Sequence, residues 1–268
     1  MKYLITNADD FGWGEDISRG IIDSHINGVL SSASVIINEI DNASLKLALK
    51  TPTLGLGLHL NIATGGKFNH PTRASIATPY NQKAWDDMYG SLDPKLIFKE
   101  FEKQYHLFCK LLKRVPDHID THYNTSSVKN VFEAYIKLAI KYNLPVRQPV
   151  SYLTKDNKFN FASNTSELTH CNNFISQLRK NNILTTDYYS LEYMNLHKDY
   201  LKAFVEELDK INDGQSIEIS FHPGYREDWR RKQVEILTSP ELKKYLRAHK
   251  VKLINYQNFH EYKNSRTA

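Results

Sequence analysis

Two aspartates stand side by side in the run LITNADDFGWG (4–14), where an apolar stretch ends on Asp9 and Asp10 and is followed by Gly12. Repulsion between adjacent carboxylates disfavours ionising both, so the pair needs something to offset it. Further polar residues close other apolar runs. His59 lies near the end of LGLGLHLN (54–61), Asp120 and His122 in HIDTH (118–122), Arg147 in PVRQP (145–149), and His222 directly after SIEISF (216–221). Carboxylate and imidazole donors converging on one mouth suit a divalent cation, with His59 and His122 as the leading ligand candidates. An isolated histidine in a core strand is more often a hydrogen-bonded structural residue. Recurrence at run ends separates these from His25, His70, His106, His170, His197, His249 and His260, which fall in expected helices or loops.

The elements that must position them follow from periodicity. Strands are expected at 2–7, 32–37, 54–61, 118–122, 145–149, 182–186, 216–221 and 251–255. Helical patterns fall at 15–27, 41–50, 94–114, 127–142, 166–180, 197–210 and 240–248, the last with Ser239 as N-cap and Pro240 at the first position. Such alternation predicts an α/β fold: a single-domain distorted (β/α) barrel of seven or eight parallel strands over residues 1–268, with an open doubly wound sheet as the alternative. In a barrel the active site lies at the carboxyl ends of the strands, where the polar residues above are found. Period-two alternation puts His59 on one face with Gly55, Gly57 and Asn61, His118 with Asp120 and His122, and Glu218 with Ser220 and His222. The Gly-, Asn-, Pro- and Thr-rich segment 62–93 reads as a long loop.

Composition narrows the function. The formal charge of +5 is spread along the 268 residues, which gives no reason to expect nucleic acid as a partner. Two cysteines, Cys109 and Cys171, are too few for a disulfide framework or a thiolate zinc site, and the simplest expectation is a reduced, cytoplasmic protein.

The motifs NADDFG, GLGLHLN, HIDTH, PVR and HPG, in this order from residue 3 to about residue 240, resemble the YdjC-like (chitooligosaccharide or carbohydrate deacetylase) family. The resemblance implies a distorted barrel that binds one divalent ion, Mg²⁺ or Zn²⁺, and removes an acetyl group from an N-acetylated sugar. It implies Asp10, His59 and His122 as metal ligands, Asp9 as base and His222 as acid. The chain departs from the family after Asp120-Thr121, where HYNTSS places Tyr123, Asn124 and Ser126 at positions often held by further histidines.

On this reading a cation held by Asp10 offsets the charge of the adjacent pair, and Asp9 handles a proton. Both side chains reach one site only if the backbone bends, which Gly12 permits. Arg147 is expected to orient Asp9, and Asp120 to hold an imidazole N–H. Trp13, Tyr123 and Tyr225, with Trp229, are candidates for stacking on a sugar ring. Arg226, with Arg230 and Arg231, is a candidate for a substrate phosphate. A lipid-linked substrate would add peripheral membrane contact, and a homodimer stays open. The competing functions are a metal-dependent phosphoesterase or other amidohydrolase on the same barrel, and a non-catalytic sugar-binding protein.

Overall fold

A computed structural model describes residues 1–63, 82–148, 165–190 and 199–259. Its elements run β1 (Tyr3–Phe11), α1 (Glu15–Ile26), β2 (Ser32–Val35), α2 (Asn42–Lys50), β3 (Gly55–Leu60), α3 (Gln82–Tyr89), α4 (Pro94–Leu112), β4 (Ile119–Thr121), α5 (Lys129–Tyr142), α6 (Thr165–Lys180), β5 (Tyr188–Ser190), α7 (Tyr200–Leu208), β6 (Ser216–Phe221), α8 (Asp228–Thr238), α9 (Pro240–Ala248) and β7 (Lys252–Leu253). The fold is α/β on a parallel sheet of seven strands among the described residues, as the strand–helix alternation predicts. No helix among these residues is long and apolar enough to cross a membrane.

The chain gathers into two compact units, and β3 passes from one to the other. The first unit comprises Met1–Val35, Ile40–Gly57 and Thr186–Ala268. Its centre is β1, which pairs β6 from Tyr3↔Ser216 to Ala8↔Phe221. Its other partners divide its length: β7 pairs Tyr3 and Leu4, and β2 pairs Asn7, Ala8 and Phe11. Leu4, Ile5, Ala8, Ile217, Ile219 and Phe221 are buried, as are Ile17 and Ile21 of α1. Removing such apolar surface from water is the main favourable contribution to folding. The approach of α1 to the turn after β6 bears on glycines of both: a Cβ on Gly20 would come within 2.5 Å of the Gly224 Cα, and one on Gly224 of HPG would lie 3.2 Å from the Ile17 Cα.

The second unit comprises Ile36–Glu39 and Leu58–Thr185. There β3 pairs β4 through Leu58↔Ile119, His59↔Asp120 and Leu60↔Thr121, and the long helix α4, capped by Asp93 and opened by Pro94, buries Ile97, Phe101 and Phe108.

Four expectations are corrected. The 62–93 loop contains α3, a helix of 8 residues masked by turn-rich sequence on both sides; residues 64–81 lie outside the described set. The run 145–149 forms only an isolated bridge, Ile119↔Val146, with Pro149 outside the described residues. The run 182–186 is not a strand. Ile183 donates its N–H to Leu178 O in closing α6, and the strand begins later, at Tyr188, after Asp187 accepts from the Ser216 N–H and hydroxyl. Finally α8, absent from the expected helices, fills the segment after HPG. Its buried positions are Arg230, Gln233, Val234, Ile236 and Leu237, of which Arg230, Gln233, Val234 and Leu237 have helical spacing, but two of the five are polar, which hides the stripe. Of the expected helix 197–210, the part from Tyr200 is described; residues 197–198, with His70 and His260, lie outside.

Candidate active site

In the first unit Asp9 and Asp10 lie inside β1 instead of after it. In a regular strand their side chains would point to opposite faces. The pairing with β2 is irregular here: Ala8 faces Ala33, while Phe11 faces Val35, so β1 spends one more residue than its partner. A bulge of this kind bends a strand and re-aims a side chain. Asp10 takes φ 70°, the left-handed region, and Gly12 follows at φ 93°; the Trp13 N–H closes the turn on Asp10 O at 3.1 Å. A non-glycine residue held there costs on the order of 1–3 kcal/mol and persists only where its surroundings enforce it. The expected bend is present, and Asp10 itself makes most of it.

The adjacent acids, both buried, have different partners. Asp9 Oδ1 accepts from Asn7 Nδ2 at 3.1 Å, and the same amide donates to Ser34 Oγ at 2.8 Å. Asp9 Oδ2 lies 3.8 Å from Nε2 of the half-buried His222. Asp10 Oδ2 instead accepts from Arg230 Nη2 at 2.8 Å. One carboxylate therefore faces an amide and an imidazole, and the other a fixed cation.

In the second unit the His59↔Asp120 register sets their side chains together, with His59 Nδ1 and Asp120 Oδ1 at 2.8 Å. Asp120 Oδ2 is 2.8 Å from Arg147 Nη1. Burial pushes the Asp120 carboxyl up, but Arg147 and then His59 outweigh it and hold the group well below the usual carboxylate range. Arg147 is itself anchored by its backbone: its N–H donates to Ile119 O at 3.0 Å, and its carbonyl accepts from the Tyr135 hydroxyl at 2.9 Å. Arg147 thus pairs with Asp120. Asp120 does hold an imidazole nitrogen, as expected, and leaves Nε2 of His59 as the atom for a ligand role. His122 follows β4 at the head of a 3₁₀ segment (His122–Ser127), its ring edge-on to His59 with centroids 5.2 Å apart. The segment turns through two left-handed residues, Tyr123 (φ 55°) and Asn124 (φ 53°), and closes with the Ser126 N–H on Thr121 Oγ1.

The family model described as YdjC-like protein matches residues 3–248. This chain belongs to the YdjC-like family. Among its relatives, a carbohydrate deacetylase of Clostridium beijerinckii (strain ATCC 51743 / NCIMB 8052) is 28% identical over 266 residues, covering 95% of this chain and 99% of its own. A chitooligosaccharide deacetylase of Proteus mirabilis (strain HI4320) is 27% identical over 271 residues, covering 95% and 98%. A crystal structure from Enterococcus faecalis V583, of a protein named for a candidate role in cellobiose-phosphate cleavage, matches with a TM-score of 0.73 at 23% identity over 96% of this chain and 98% of that one. That likeness shows the fold.

Within this YdjC-like chain the candidate substrate residues are already engaged. The Tyr225 hydroxyl donates to Asp23 Oδ2 at 2.6 Å; burial and then this carboxylate push its phenol up to about 12. Arg226 makes a two-pronged pair with Asp16, Nε to Oδ2 at 3.0 Å and Nη2 to Oδ1 at 2.9 Å, and Nη2 also donates to Trp13 O at 3.1 Å. Arg231 sits 3.9 Å from Asp228. All three arginines considered for phosphate face carboxylates, and Arg226 fastens the turn after β6 to the start of α1. Tyr123 lies against His122, ring centroids 4.0 Å apart.

Sequence reasoning missed Asn7, Gln233 and the pairing of Arg230 with Asp10. Asn7 stands two residues before Asp9, on the same strand face by alternation, and that signal was open to reading. Arg230 and Gln233 carried only their helical spacing.

Proposed function

We propose that this YdjC-like chain is a metal-dependent carbohydrate deacetylase that hydrolyses the acetamide of a small N-acetylated amino sugar to acetate and the free amine. The deacetylase names of its relatives support the reaction class. The observation that carries the assignment of roles is the contrast between the neighbouring acids, Asp9 facing an imidazole and Asp10 a guanidinium.

Asp10, His59 and His122 are the proposed ligands of one divalent cation. All three are buried and of donor types that take such an ion, and Asp120 on His59 Nδ1 is the outer support metal-binding histidines normally have. Two imidazoles and one carboxylate suit Zn²⁺, and Mg²⁺ is the alternative. The cation, when bound, supplies Lewis-acid polarisation and charge stabilisation.

The remaining steps belong to side chains. Asp9 accepts a proton from the water that attacks the acetyl carbonyl. His222 delivers a proton to the departing sugar nitrogen as the C–N bond breaks, so the amine leaves neutral. Asn7 holds Oδ1 of Asp9, and Oδ2 faces the His222 imidazole. The setting is cytoplasmic, and the partner is the small sugar.

Acetate release from a panel of N-acetylated sugars, free and phosphate-linked, tests the reading. Activity should disappear on chelation and return with Zn²⁺ or Mg²⁺. Release of phosphate without acetate would favour the phosphoesterase, and sugar binding without turnover a non-catalytic protein.

A further inference from the structure

Asp10 lies in β1 and His222 directly after the neighbouring strand β6, and a side chain from a third element touches both. Arg230, in the first turn of α8, donates from Nη2 to Asp10 Oδ2 at 2.8 Å and from Nη1 to the backbone carbonyl of His222 at 3.3 Å. Its Nε lies 3.0 Å from Glu227 Oε2, and its guanidinium carbon 4.5 Å from the centroid of the Trp229 ring. The other polar group of the His222 backbone also ends on α8, since its N–H donates to Gln233 Oε1. Arg230 and Gln233 are 4% and 1% exposed. Burying an arginine is costly unless it is paired, and this one has two hydrogen-bond acceptors, an ion-pair partner and a stacking surface to hold its guanidinium in place.

We propose that Arg230 is a positioning residue for deacetylation: it holds Oδ2 of Asp10 so that the carboxylate presents its other oxygen to the cation, and it fixes the backbone that aims the His222 imidazole. This rests on the reading of Asp10 as ligand and His222 as acid. Both tasks require the planar fork of a guanidinium, whose donors diverge from one rigid centre. A lysine ammonium supplies the charge as a point and cannot reproduce that span. The segment YREDWRRKQ thereby gains a function unrelated to phosphate: its buried arginine acts through Asp10 and His222 without touching substrate.

The test titrates Zn²⁺ into metal-stripped full-length wild type, Arg230→Lys and Arg230→Gln by calorimetry, and measures kcat and KM for acetate release on the reloaded proteins. Loss of an outer-shell partner typically weakens metal binding or activity about 10–100-fold. Both variants should show weaker Zn²⁺ binding of that order and a lower kcat with KM little changed. A purely structural arginine would lower the unfolding temperature and leave the Zn²⁺ affinity of the folded protein where it was. Glu227→Gln, which loosens Arg230 from a partly exposed partner, keeps the idea testable if the Arg230 variants do not fold. It should shift Zn²⁺ binding in the same direction by a smaller factor, and an unchanged affinity there would count against the proposal. Zn²⁺ affinity and kcat within twofold of wild type in both Arg230 variants would overturn it. So would tighter binding in Arg230→Gln with Arg230→Lys unchanged, which would mean the guanidinium acts only as a repelling charge. A wild type that neither binds Zn²⁺ nor releases acetate would overturn the deacetylase reading itself, and this inference with it.

Discussion

The acids of β1 and the acid of β4 are equally buried and differently held. Asp120 is clamped on both oxygens, by His59 and by Arg147, in a set whose members are fixed by strand register and by the backbone bonds of Arg147. Asp9 has one oxygen tied to a neutral amide and the other 3.8 Å from an imidazole, longer than a hydrogen bond. Asp10 shares its strand but meets a guanidinium delivered from a helix that starts more than two hundred residues later. Asp120 suits a support, because both its oxygens are already engaged. Asp9 suits proton transfer, because one of its oxygens faces an imidazole, itself a group that can carry a proton.

Removing the proposed base should break this contrast most severely. Asp9→Asn keeps the size and the Asn7 neighbour but cannot accept the proton, and turnover should fall by about 10²–10⁴-fold. Calorimetric Zn²⁺ binding should stay near wild type. Parallel loss of Zn²⁺ binding and turnover would instead make Asp9 a ligand and abolish the distinction from Asp10.

On β4 the expected effect is on stability. Asp120→Ala breaks the buried pair with Arg147, and removing one partner of a buried pair costs about 3–5 kcal/mol, readable from urea unfolding. The pH dependence has a definite sign. The Asp120 carboxyl is held below its unfolded value, so its stabilisation is complete above the unfolded pKa of about 3.9 and is lost as pH falls toward the folded value. Wild type should therefore lose stability in acid more steeply than Asp120→Asn, measured as the unfolding midpoint between pH 5 and pH 2.5. Equal slopes would show that Asp120 is not the clamped acid the geometry describes.

The same comparison shows what a sequence discloses. His59 and Asp120 were legible because each sits in a strand with clear alternation, and their partnership follows from one step of register. Asp9 and Asp10 stood out by adjacency, and the required bend followed from strand geometry; that a bulge at Asp10 makes it could not be read, since a one-residue mismatch exists only relative to β2. Arg147 was recognised as functional, but its pairing with Asp120 was not foreseen, because choosing among buried acids needs the third dimension. Arg230 and Gln233 were obscured for a related reason: as polar residues in a buried helical stripe they erased the periodicity that would have revealed α8. Where local pattern and final structure part company, the discrepancy marks residues placed for the site instead of for the core.

The smallest effect concerns the turn that carries His222. Tyr225 and Arg226, considered for substrate, are bonded to Asp23 and Asp16 of α1 and so tether the HPG turn from outside. Tyr225→Phe removes one hydrogen bond at a partly exposed position, worth about 1 kcal/mol or less, and should leave the KM for sugar unchanged. The raised phenol provides a second check. Because its folded pKa, about 12, lies above the unfolded value near 10, its stabilisation is complete below pH 10 and lost as pH rises through the folded value. Tyr225→Phe should accordingly narrow its stability deficit between pH 10 and pH 12 in urea unfolding. A raised KM with unchanged stability would return Tyr225 to the substrate, and the turn would then owe its position to α8, to Arg226 and to the Tyr225 N–H on Asp16 O.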